Sequence, residues 1–265
     1  MSELLVSVII PTYNAENTID RCLESVVNQS YRNLQIICCD DCSSDSTWQK
    51  LLQWKEKDPR IEVIKNDKNM RVAYTRNQCI AKARGVYIAQ IDDDDYMAQD
   101  RIEKQVCFLE EHPEYAFVGS GAYFFDENGV WRKAKPKKSS PVPRDFLWGS
   151  CFITPSVTFR AEILKLVGEY RVAKETRRIE DFDLYMRIYA HGYKGFNLPE
   201  CLTYYYRGAK SYQKCKYKYR IDEAKVRYKG YKQLGLMPLG LIFVLKPLIV
   251  GLIPIRLLEE LKSKK

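Results

Sequence analysis

Apolar runs alternate with segments of helical periodicity over the first 112 residues. Four short runs rich in Val and Ile are typical of strands buried on both faces: 4–10, 34–39, 61–64 and 86–91. Between them, apolar positions recur at helical spacing after Asn17, around Trp48, and over 72–83 and 101–111. Asn14 or Asn17 is expected to cap the first helix. Strands and helices in this order form a parallel sheet with right-handed crossovers.

The alternation stops near residue 115. Asp126-Glu127-Asn128-Gly129 predicts a hairpin turn between strands over 122–125 and 130–132, and a helix is expected over 181–191. A chain of 265 residues suits one large domain with an appendage. We therefore predict an α/β domain over 1–205, with halves of about 1–112 and 113–205, and a separate region over 206–265.

The C-terminal region is basic, rich in tyrosine and then apolar. Residues 201–265 carry a net charge of +11, against −2 for the first 200 residues. Residues 204–232 interleave Tyr with Lys and Arg, and 234–255 is apolar except for Lys246. The longest charge-free run, 233–245, is too short to span ~30 Å of hydrocarbon. We predict a helical interfacial anchor on an anionic membrane surface. A re-entrant or spanning segment, core packing and an oligomer contact remain alternatives.

Composition excludes several classes of protein. With 46% hydrophobic and 29% charged residues the chain is expected to fold. Its two histidines argue against a His-rich zinc site and against a Ser-His-Asp triad. We expect no signal peptide, since the run 4–10 is short and ends at Pro11. The nine cysteines then indicate a reduced, cytosolic compartment. Cys39 and Cys42 match a C-x-x-C redox pair, but two aspartates between them oppose a reactive thiolate.

Four consecutive aspartates, Asp92 to Asp95, follow the fourth predicted strand. Ligands of open α/β sheets bind beyond the carboxyl ends of the strands, where these acids should lie. Oxygen ligands suit Mg²⁺ or Mn²⁺, and such a metal usually bridges substrate phosphates. A solvated acidic turn and an isoprenoid-diphosphate motif are the alternatives.

A second acidic pair, Asp40 and Asp41, ends the second predicted strand. A carboxylate there could accept hydrogen bonds from a nucleobase or a ribose, whereas Asp45 is better interpreted as a helix cap. The chain has neither a Walker A sequence nor a complete dinucleotide fingerprint. The phosphates of a nucleotide would therefore have to be held by a metal and by cationic side chains.

Several motifs together resemble the family-2 glycosyltransferases of the GT-A fold. They are, in order, 6–16, 40–47, 73–77, the aspartates from Asp92 to Asp95, and the Glu-Asp motif at Glu180 and Asp181. The resemblance covers about 4–207, and its strength lies in the ordered set. It implies a Rossmann-like, mostly parallel central sheet with flanking helices, and an inverting transfer from a nucleotide-diphospho-sugar.

The resemblance also implies roles for individual residues. Asp94 would ligate the metal, Asp181 would be the general base, Tyr13 would stack on the base, and Asp41 would bind uracil. The remaining residues of the predicted nucleotide-sugar pocket are Pro11, Thr12, Glu16, Arg76, Asp92 and Asp93. Asp183 is expected to be structural or to face the acceptor.

The sequence departs from the family at three positions. Cys42 and Arg71 occupy places where the family usually has glycine, and Thr75 replaces a common alanine. These changes bear on the local loop geometry. The Q-x-x-R-W motif of processive synthases is absent, which indicates addition of a single sugar.

We thus expect a metal-dependent enzyme that moves a hexose or N-acetylhexosamine from a UDP-sugar to a lipid-linked glycan. It would act at the cytoplasmic face of the inner or plasma membrane, as a peripheral or monotopic protein in bacterial O-antigen, capsule or lipooligosaccharide synthesis. No nucleic-acid partner is expected. The alternatives are single-stranded nucleic-acid binding by the basic, Tyr-rich tail, and a glycosyltransferase-like protein without catalysis.

Overall fold

The computed structural model of the chain describes residues 4–208 and 217–252. The first half follows the predicted alternation of strands and helices. Its elements are β1 (Val6–Thr12), α1 (Ile19–Val27), β2 (Leu34–Asp40), α2 (Thr47–Lys57), β3 (Ile61–Lys65), α3 (Val72–Lys82), β4 (Tyr87–Gln90), the short β5 (Tyr96–Met97) and α4 (Arg101–Glu111).

The second half contains the predicted hairpin, the helix predicted over 181–191 and further elements that no local pattern indicated. Its elements are β6 (Phe117–Asp126), β7 (Gly129–Ala134), two 3₁₀ turns (Pro143–Trp148 and Thr154–Ser156), β8 (Thr158–Arg160), α5 (Ala161–Leu166), α6 (Glu180–Ala190), β9 (Gly195–Tyr206), α7 (Tyr217–Gln233) and α8 (Leu241–Leu252). Asp126 pairs with Gly129 at the hairpin, as the turn sequence predicted.

The described strands form one sheet in the order β3-β2-β1-β4-β8-β6-β9-β5, with β7 added to β6. The pairs from β3 to β4 are parallel, and so is the pair of β6 with β9. β8 runs antiparallel to both β4 and β6, and β5 is antiparallel to β9. The α/β fold is confirmed. The strands β3, β2, β1 and β4 are all parallel to one another. Beyond β4 the sheet is mixed, because β8 runs in the opposite direction.

Side chains that alternate along the strands supply two cores, one on each face of the sheet. Val8 and Ile10 of β1 pack with α1 and α4, whereas Ile9 between them packs with α3 and α6. Both faces of the strand are therefore covered, which explains its continuous apolar sequence.

Part of the predicted tail belongs to this fold. Tyr204, at the start of the segment interpreted as a basic tail, lies in β9, and that part of the interpretation is wrong. The pattern of aromatic and basic residues did not distinguish a strand end from a tail. The predicted boundary at 205/206 falls one residue before β9 ends. The boundary itself stays a prediction.

Helix α7 packs on the core that contains α6. Its Tyr231 is fully buried and donates a hydrogen bond from its hydroxyl to the carbonyl oxygen of Phe146 at 3.1 Å, and Arg227 reaches the carbonyl of Leu147 at 3.4 Å. For α7, these contacts favour the core-packing alternative. Within the described ranges, no helix has the length and apolar character needed to cross a bilayer.

The predicted cap of α1 is wrong. The residue before the helix is Thr18, and its side chain makes no capping hydrogen bond. Asn14 instead accepts a hydrogen bond from the backbone N–H of Ser44 at 2.9 Å, which joins the loop after β1 to the loop after β2. Asp45, predicted as a helix cap, lies one residue before the N-cap Ser46, and its carboxylate accepts from the backbone N–H of Thr47, the first residue of α2.

Candidate active site

A cavity of about 370 Å³ opens where the chain changes direction across the sheet. The chain runs from β1 outward to β2 and β3 and returns to β4 on the other side of β1. This is the switch point at which open α/β sheets bind ligands, beyond the carboxyl ends of the strands. The cavity is lined by eight of the residues predicted to bind the nucleotide-sugar or metal: Pro11, Thr12, Tyr13, Asp41, Arg76, Asp92, Asp93 and Asp94.

The aspartates after β4 are held in different ways. Asp93 accepts a hydrogen bond from the backbone N–H of Tyr13 at 2.8 Å. This bond connects the acidic loop, Asp92 to Asp95, to the end of β1. Asp95 is fully buried and accepts from the backbone N–H of Tyr206 at 2.7 Å. Arg21 donates to the carbonyl oxygen of Asp94 at 2.9 Å. The loop is thus fixed by its neighbours, while the Asp94 side chain lines the cavity.

The acidic loop is short of positive charge. Burial, with the nearby charge of Asp92, raises the pKa of Asp94 to about 6. Burial, followed by the charge of Asp94, raises the pKa of Asp93 well above its usual range. In the described part of the chain, neither carboxylate has an ion-pair partner within 4.0 Å. A cation at this loop would relieve both the repulsion and the desolvation.

The residues present suit a divalent cation that shares its ligands with a substrate. Over 4–208 and 217–252, no three His, Cys, Asp or Glu side chains are grouped so as to hold a metal by themselves. Mg²⁺ is usually bound by one or two carboxylates together with substrate phosphates and waters. Asp94, which lines the cavity and lacks an ion-pair partner among the described residues, fits that mode.

Arg76 connects the acidic loop to helix α6. Its buried guanidinium donates to Asp92 Oδ1 at 2.6 Å and to Glu180 Oε1 at 3.0 Å, and it lies 5.2 Å from the centre of the Tyr170 ring. Burial raises the pKa of Glu180 to about 7, although Arg76 opposes that shift. The second carboxylate oxygen of Glu180 is buried without a hydrogen-bond partner among the described residues. This carboxyl group therefore has an acceptor left for a ligand.

Asp41 shapes the loop between β3 and α3. Its carboxylate accepts hydrogen bonds from Asn66 Nδ2 at 2.8 Å and from the backbone N–H groups of Met70 and Arg71 at 2.7 and 2.8 Å. One oxygen takes two of these bonds and the other takes one, and a carboxylate has about four acceptor positions. Asp41 can therefore hold the loop and still accept a nucleobase N–H.

Two departures from the family pattern coincide with unusual backbone geometry. Cys42 has φ 61°, and Arg71 has φ 77° with ψ 160°. Both lie at positive φ, where glycine is favoured, and the combination at Arg71 is essentially restricted to glycine. The chain thus keeps the backbone shape expected of glycine at both positions and accepts strain there.

Three other predicted residues differ in their placement. Thr12 lines the cavity, but its hydroxyl donates to the carbonyl oxygen of Cys39 at 3.1 Å, whereas the side chain of Tyr13 is 49% exposed and free to stack. Glu16 does not line the cavity, and its carboxylate accepts from the backbone N–H of Ser46 at 3.0 Å. The structure thus places Glu16 at the start of α2.

Asp181 follows Glu180 in the first turn of α6 and does not itself line the cavity. Its carboxylate accepts hydrogen bonds from the Thr154 hydroxyl and from the backbone N–H of Phe182. Asp183, two residues on, is buried and forms ion pairs with Arg171 and Arg187, both at 2.8 Å. Asp183 is therefore structural, which was one of the two interpretations from the sequence. Asp181 is more accessible than Asp183.

The sequence analysis missed five residues that line the cavity: Asn69, Arg71, Val72, Thr75 and Glu180. Glu180 was quoted only as half of the Glu-Asp motif, yet its carboxyl group contacts Arg76. The motif was a usable signal for Glu180. No local pattern could show that the loop from Asn69 to Val72 folds toward the ends of β1 and β2.

Comparisons with known proteins agree with this geometry. The sequence profile described as "Glycosyl transferase family 2" matches residues 7–168. The chain is 37% identical over 261 residues to a Bacillus subtilis (strain 168) protein named "Putative glycosyltransferase EpsE", covering 98% of this chain and 94% of the relative. It is 32% identical over 222 residues to WfaP of Escherichia coli, named "UDP-Glc:alpha-D-GlcNAc-diphosphoundecaprenol beta-1,3-glucosyltransferase", with 84% and 85% coverage.

The fold also matches solved structures. Residues 1–349 of S. aureus TarS in complex with UDP-GlcNAc align with a TM-score of 0.73 and 20% identity, over 93% of this chain and 71% of that TarS fragment. At this identity the match establishes the fold, which is that of the GT-A type.

Proposed function

Because this chain belongs to glycosyltransferase family 2, we propose that it transfers a single hexose or N-acetylhexosamine, with inversion, from a UDP-sugar to a lipid-linked glycan. The products would be UDP and a lipid-linked glycan longer by one sugar, an intermediate in the synthesis of a bacterial surface polysaccharide. The observation that carries this proposal is the cavity at the switch point, where Asp41, Arg76 and the acidic loop converge at the ends of three strands. Relatives support the substrate class, since WfaP is named for a UDP-Glc donor and a diphosphoundecaprenol-linked acceptor.

The donor would occupy this cavity. Its volume of about 370 Å³ lies within the range of small-molecule sites. Tyr13 offers an exposed ring for stacking on a nucleobase, and Asp41 offers an acceptor for the uracil N–H. TarS has been solved with UDP-GlcNAc, which supports a UDP donor for this fold.

Asp94 would hold Mg²⁺ or Mn²⁺ together with the donor diphosphate. When bound, a divalent cation supplies neutralisation of the negative charge that develops on a diphosphate leaving group. A solved structural neighbour, the mannosyltransferase PcManGT from Pyrobaculum calidifontis, is in complex with GDP-Man and Mn²⁺. Arg76 would keep Asp92 and Glu180 oriented at the same wall of the cavity.

Asp181 would take the proton of the acceptor hydroxyl. Inversion requires one carboxylate on the acceptor side, acting as general base during in-line attack. Its position in the first turn of α6 favours a negative charge there. The hydrogen bond from Thr154 fixes the orientation of the carboxylate, so Thr154 would be a positioning residue.

The membrane partner is supported by the surface of α8. Four apolar side chains of this helix are exposed: Ile242, Leu245, Ile249 and Leu252. The ring of Trp148 packs against that of Phe243 in the same helix, with 4.9 Å between the ring centres. Exposed apolar side chains at helical spacing, next to a basic region, are typical of a helix that lies in a membrane interface. We propose peripheral or monotopic attachment to the cytoplasmic face of the membrane.

A nucleotide-sugar panel tests the proposal. With purified full-length protein, a UDP-sugar should support turnover that requires Mn²⁺ or Mg²⁺ and stops in EDTA. Asp94→Ala should lower turnover by roughly 10²-fold or more and weaken UDP binding in Mn²⁺. The control Glu24→Ala removes an exposed acid of α1 and should change neither quantity. Full activity in EDTA would refute the metal role. If no nucleotide sugar of the panel supports turnover, the proposed function is refuted.

A further inference from the structure

A second cavity, of about 920 Å³, adjoins the donor cavity and differs from it in charge. The two cavities share Arg71, Val72 and Glu180 as lining residues. A ligand in the second cavity is therefore separated from the donor cavity only by these side chains.

The second cavity is strongly cationic. Among its lining residues only Glu180 is acidic, and five are basic: Arg71, Lys174, Arg177, Arg178 and Lys218. These cations come from three separate parts of the fold: the loop before α3, the loop before α6, and the first turn of α7. Cations gathered in a concave wall repel one another and raise the local concentration of anions.

The geometry of the wall is specific. The charged groups of Arg178 and Lys218 both lie 5.2 Å from the centre of the Tyr219 ring. Both cations therefore make cation–π contacts with the same ring. Arg71 and Arg178 both have positive φ, 77° and 71°. Strained non-glycine residues tend to cluster where a ligand is held. Two of the five such residues in the described chain line this one cavity.

Much of the remaining wall is apolar. Met70, Val72, Val172 and Ala173 contribute hydrocarbon surface beside the cations. A small inorganic anion would leave this surface unused. A ligand with a phosphate group attached to an apolar chain and a glycan would use both kinds of wall.

We propose that this cavity binds the phosphate or diphosphate that links the acceptor glycan to its lipid. The proposal rests on the proposed glycosyl transfer and extends it to the acceptor. Phosphate held by the cations would leave the attached sugar near the shared wall, where Glu180, the residue before Asp181 in α6, borders the donor cavity. The donor diphosphate has its own place at the acidic loop, and four of the five cations, all except Arg71, do not line the donor cavity.

Binding of farnesyl diphosphate by the full-length protein tests the site without requiring transfer. The test variant is Lys174→Ala/Arg177→Ala, since both side chains are exposed and lack an ion-pair partner among the described residues. We expect its affinity for farnesyl diphosphate at low salt to fall by about tenfold or more, and its affinity for UDP with Mn²⁺ to stay within about twofold. The matched control, Lys55→Ala/Arg144→Ala, removes one lysine and one arginine from exposed positions elsewhere and should leave both affinities unchanged.

Further ligands separate the sources of the anion. Farnesol should bind far more weakly than farnesyl diphosphate, and inorganic pyrophosphate should bind more weakly as well. Equal binding of pyrophosphate and farnesyl diphosphate would overturn the lipid link. Displacement of farnesyl diphosphate by UDP, or equal loss of UDP affinity in the test variant, would assign the cations to the donor and overturn the proposal. If no UDP-sugar supports turnover but these binding results hold, the transfer function fails and the anion site stands.

Discussion

Arg76 donates a hydrogen bond to Asp92 across 2.6 Å and so joins the middle of α3 to the loop after β4. The same guanidinium pairs with Glu180 at the start of α6. Its side chain is nearly inaccessible, whereas that of Asp92 is 28% exposed at the cavity. One buried cation therefore organises two of the carboxyl groups that line the donor cavity.

Replacing Arg76 should be costly for stability. In Arg76→Met, the carboxyl groups of Asp92 and Glu180 lose their buried partner, which typically costs about 3 kcal/mol or more in the free energy of unfolding. Urea unfolding followed by circular dichroism measures the change. The control is Arg84→Met, whose ion pair with Glu62 is exposed and is worth about 1 kcal/mol or less. Equal losses for the two variants would contradict the role assigned to Arg76.

Arg71 gives a test of backbone strain. Glycine adopts φ 77° and ψ 160° without the steric penalty of a Cβ atom, whereas alanine keeps that penalty. Arg71→Gly should therefore be more stable than Arg71→Ala by about 1 kcal/mol, after allowing for the greater unfolded-state entropy of glycine. Lys68, an exposed neighbour outside the positive-φ set, provides the comparison. There the alanine variant should be at least as stable as the glycine variant.

Asp181→Asn should separate chemistry from donor binding. The asparagine keeps the shape of the side chain and removes its basicity, so the rate of transfer should fall by roughly 10²-fold or more. UDP affinity, measured by calorimetry, should be nearly unchanged because Asp181 does not line the donor cavity. Thr154→Val, which removes a hydrogen bond that orients the carboxylate, should lower the rate by a smaller factor. Transfer at the wild-type rate in Asp181→Asn would refute the assignment.

Helix α8 should mediate attachment to anionic vesicles. Ile242 and Ile249 are 70% and 61% exposed on this helix. Ile242→Glu/Ile249→Glu places two negative charges on that surface and should abolish most co-sedimentation with phosphatidylglycerol vesicles, at low salt and at 1 M salt. The control Val130→Glu/Leu166→Glu changes two exposed apolar side chains elsewhere and should retain binding at low salt. Unchanged sedimentation of the α8 variant would reject this surface.

The first half of the fold was predictable because its signals are local. The apolar runs that became β1, β2 and β4 are followed directly by Pro11, Asp40 and Asp92, so the strand ends and the site could be predicted together. β8 has three residues and β5 has two, too few for a periodic pattern. Their places depend on pairing with distant strands, which local periodicity does not encode.

The site was predictable in its residues and less so in its connections. Asp41 was expected to bind a ligand, but its three hydrogen bonds to the loop from Asn66 to Arg71 depend on the tertiary fold. Glu180 lies at the donor cavity, where it pairs with Arg76, a residue 104 positions away in the sequence. The cationic cavity was not foreseen at all, because its five basic residues come from three separated segments.

The hydrogen bond from Tyr206 to Asp95 joins residues 111 positions apart. During synthesis on the ribosome, residues 1–112 emerge long before β9 exists. The acidic loop then lacks both the antiparallel partner of β5 and the backbone N–H that donates to Asp95 Oδ1. Since long-range pairings of this kind form late and slowly, the N-terminal half should complete its ligand site only after residue 206 has emerged. Nascent chains of increasing length should therefore gain nucleotide binding abruptly, beyond that residue.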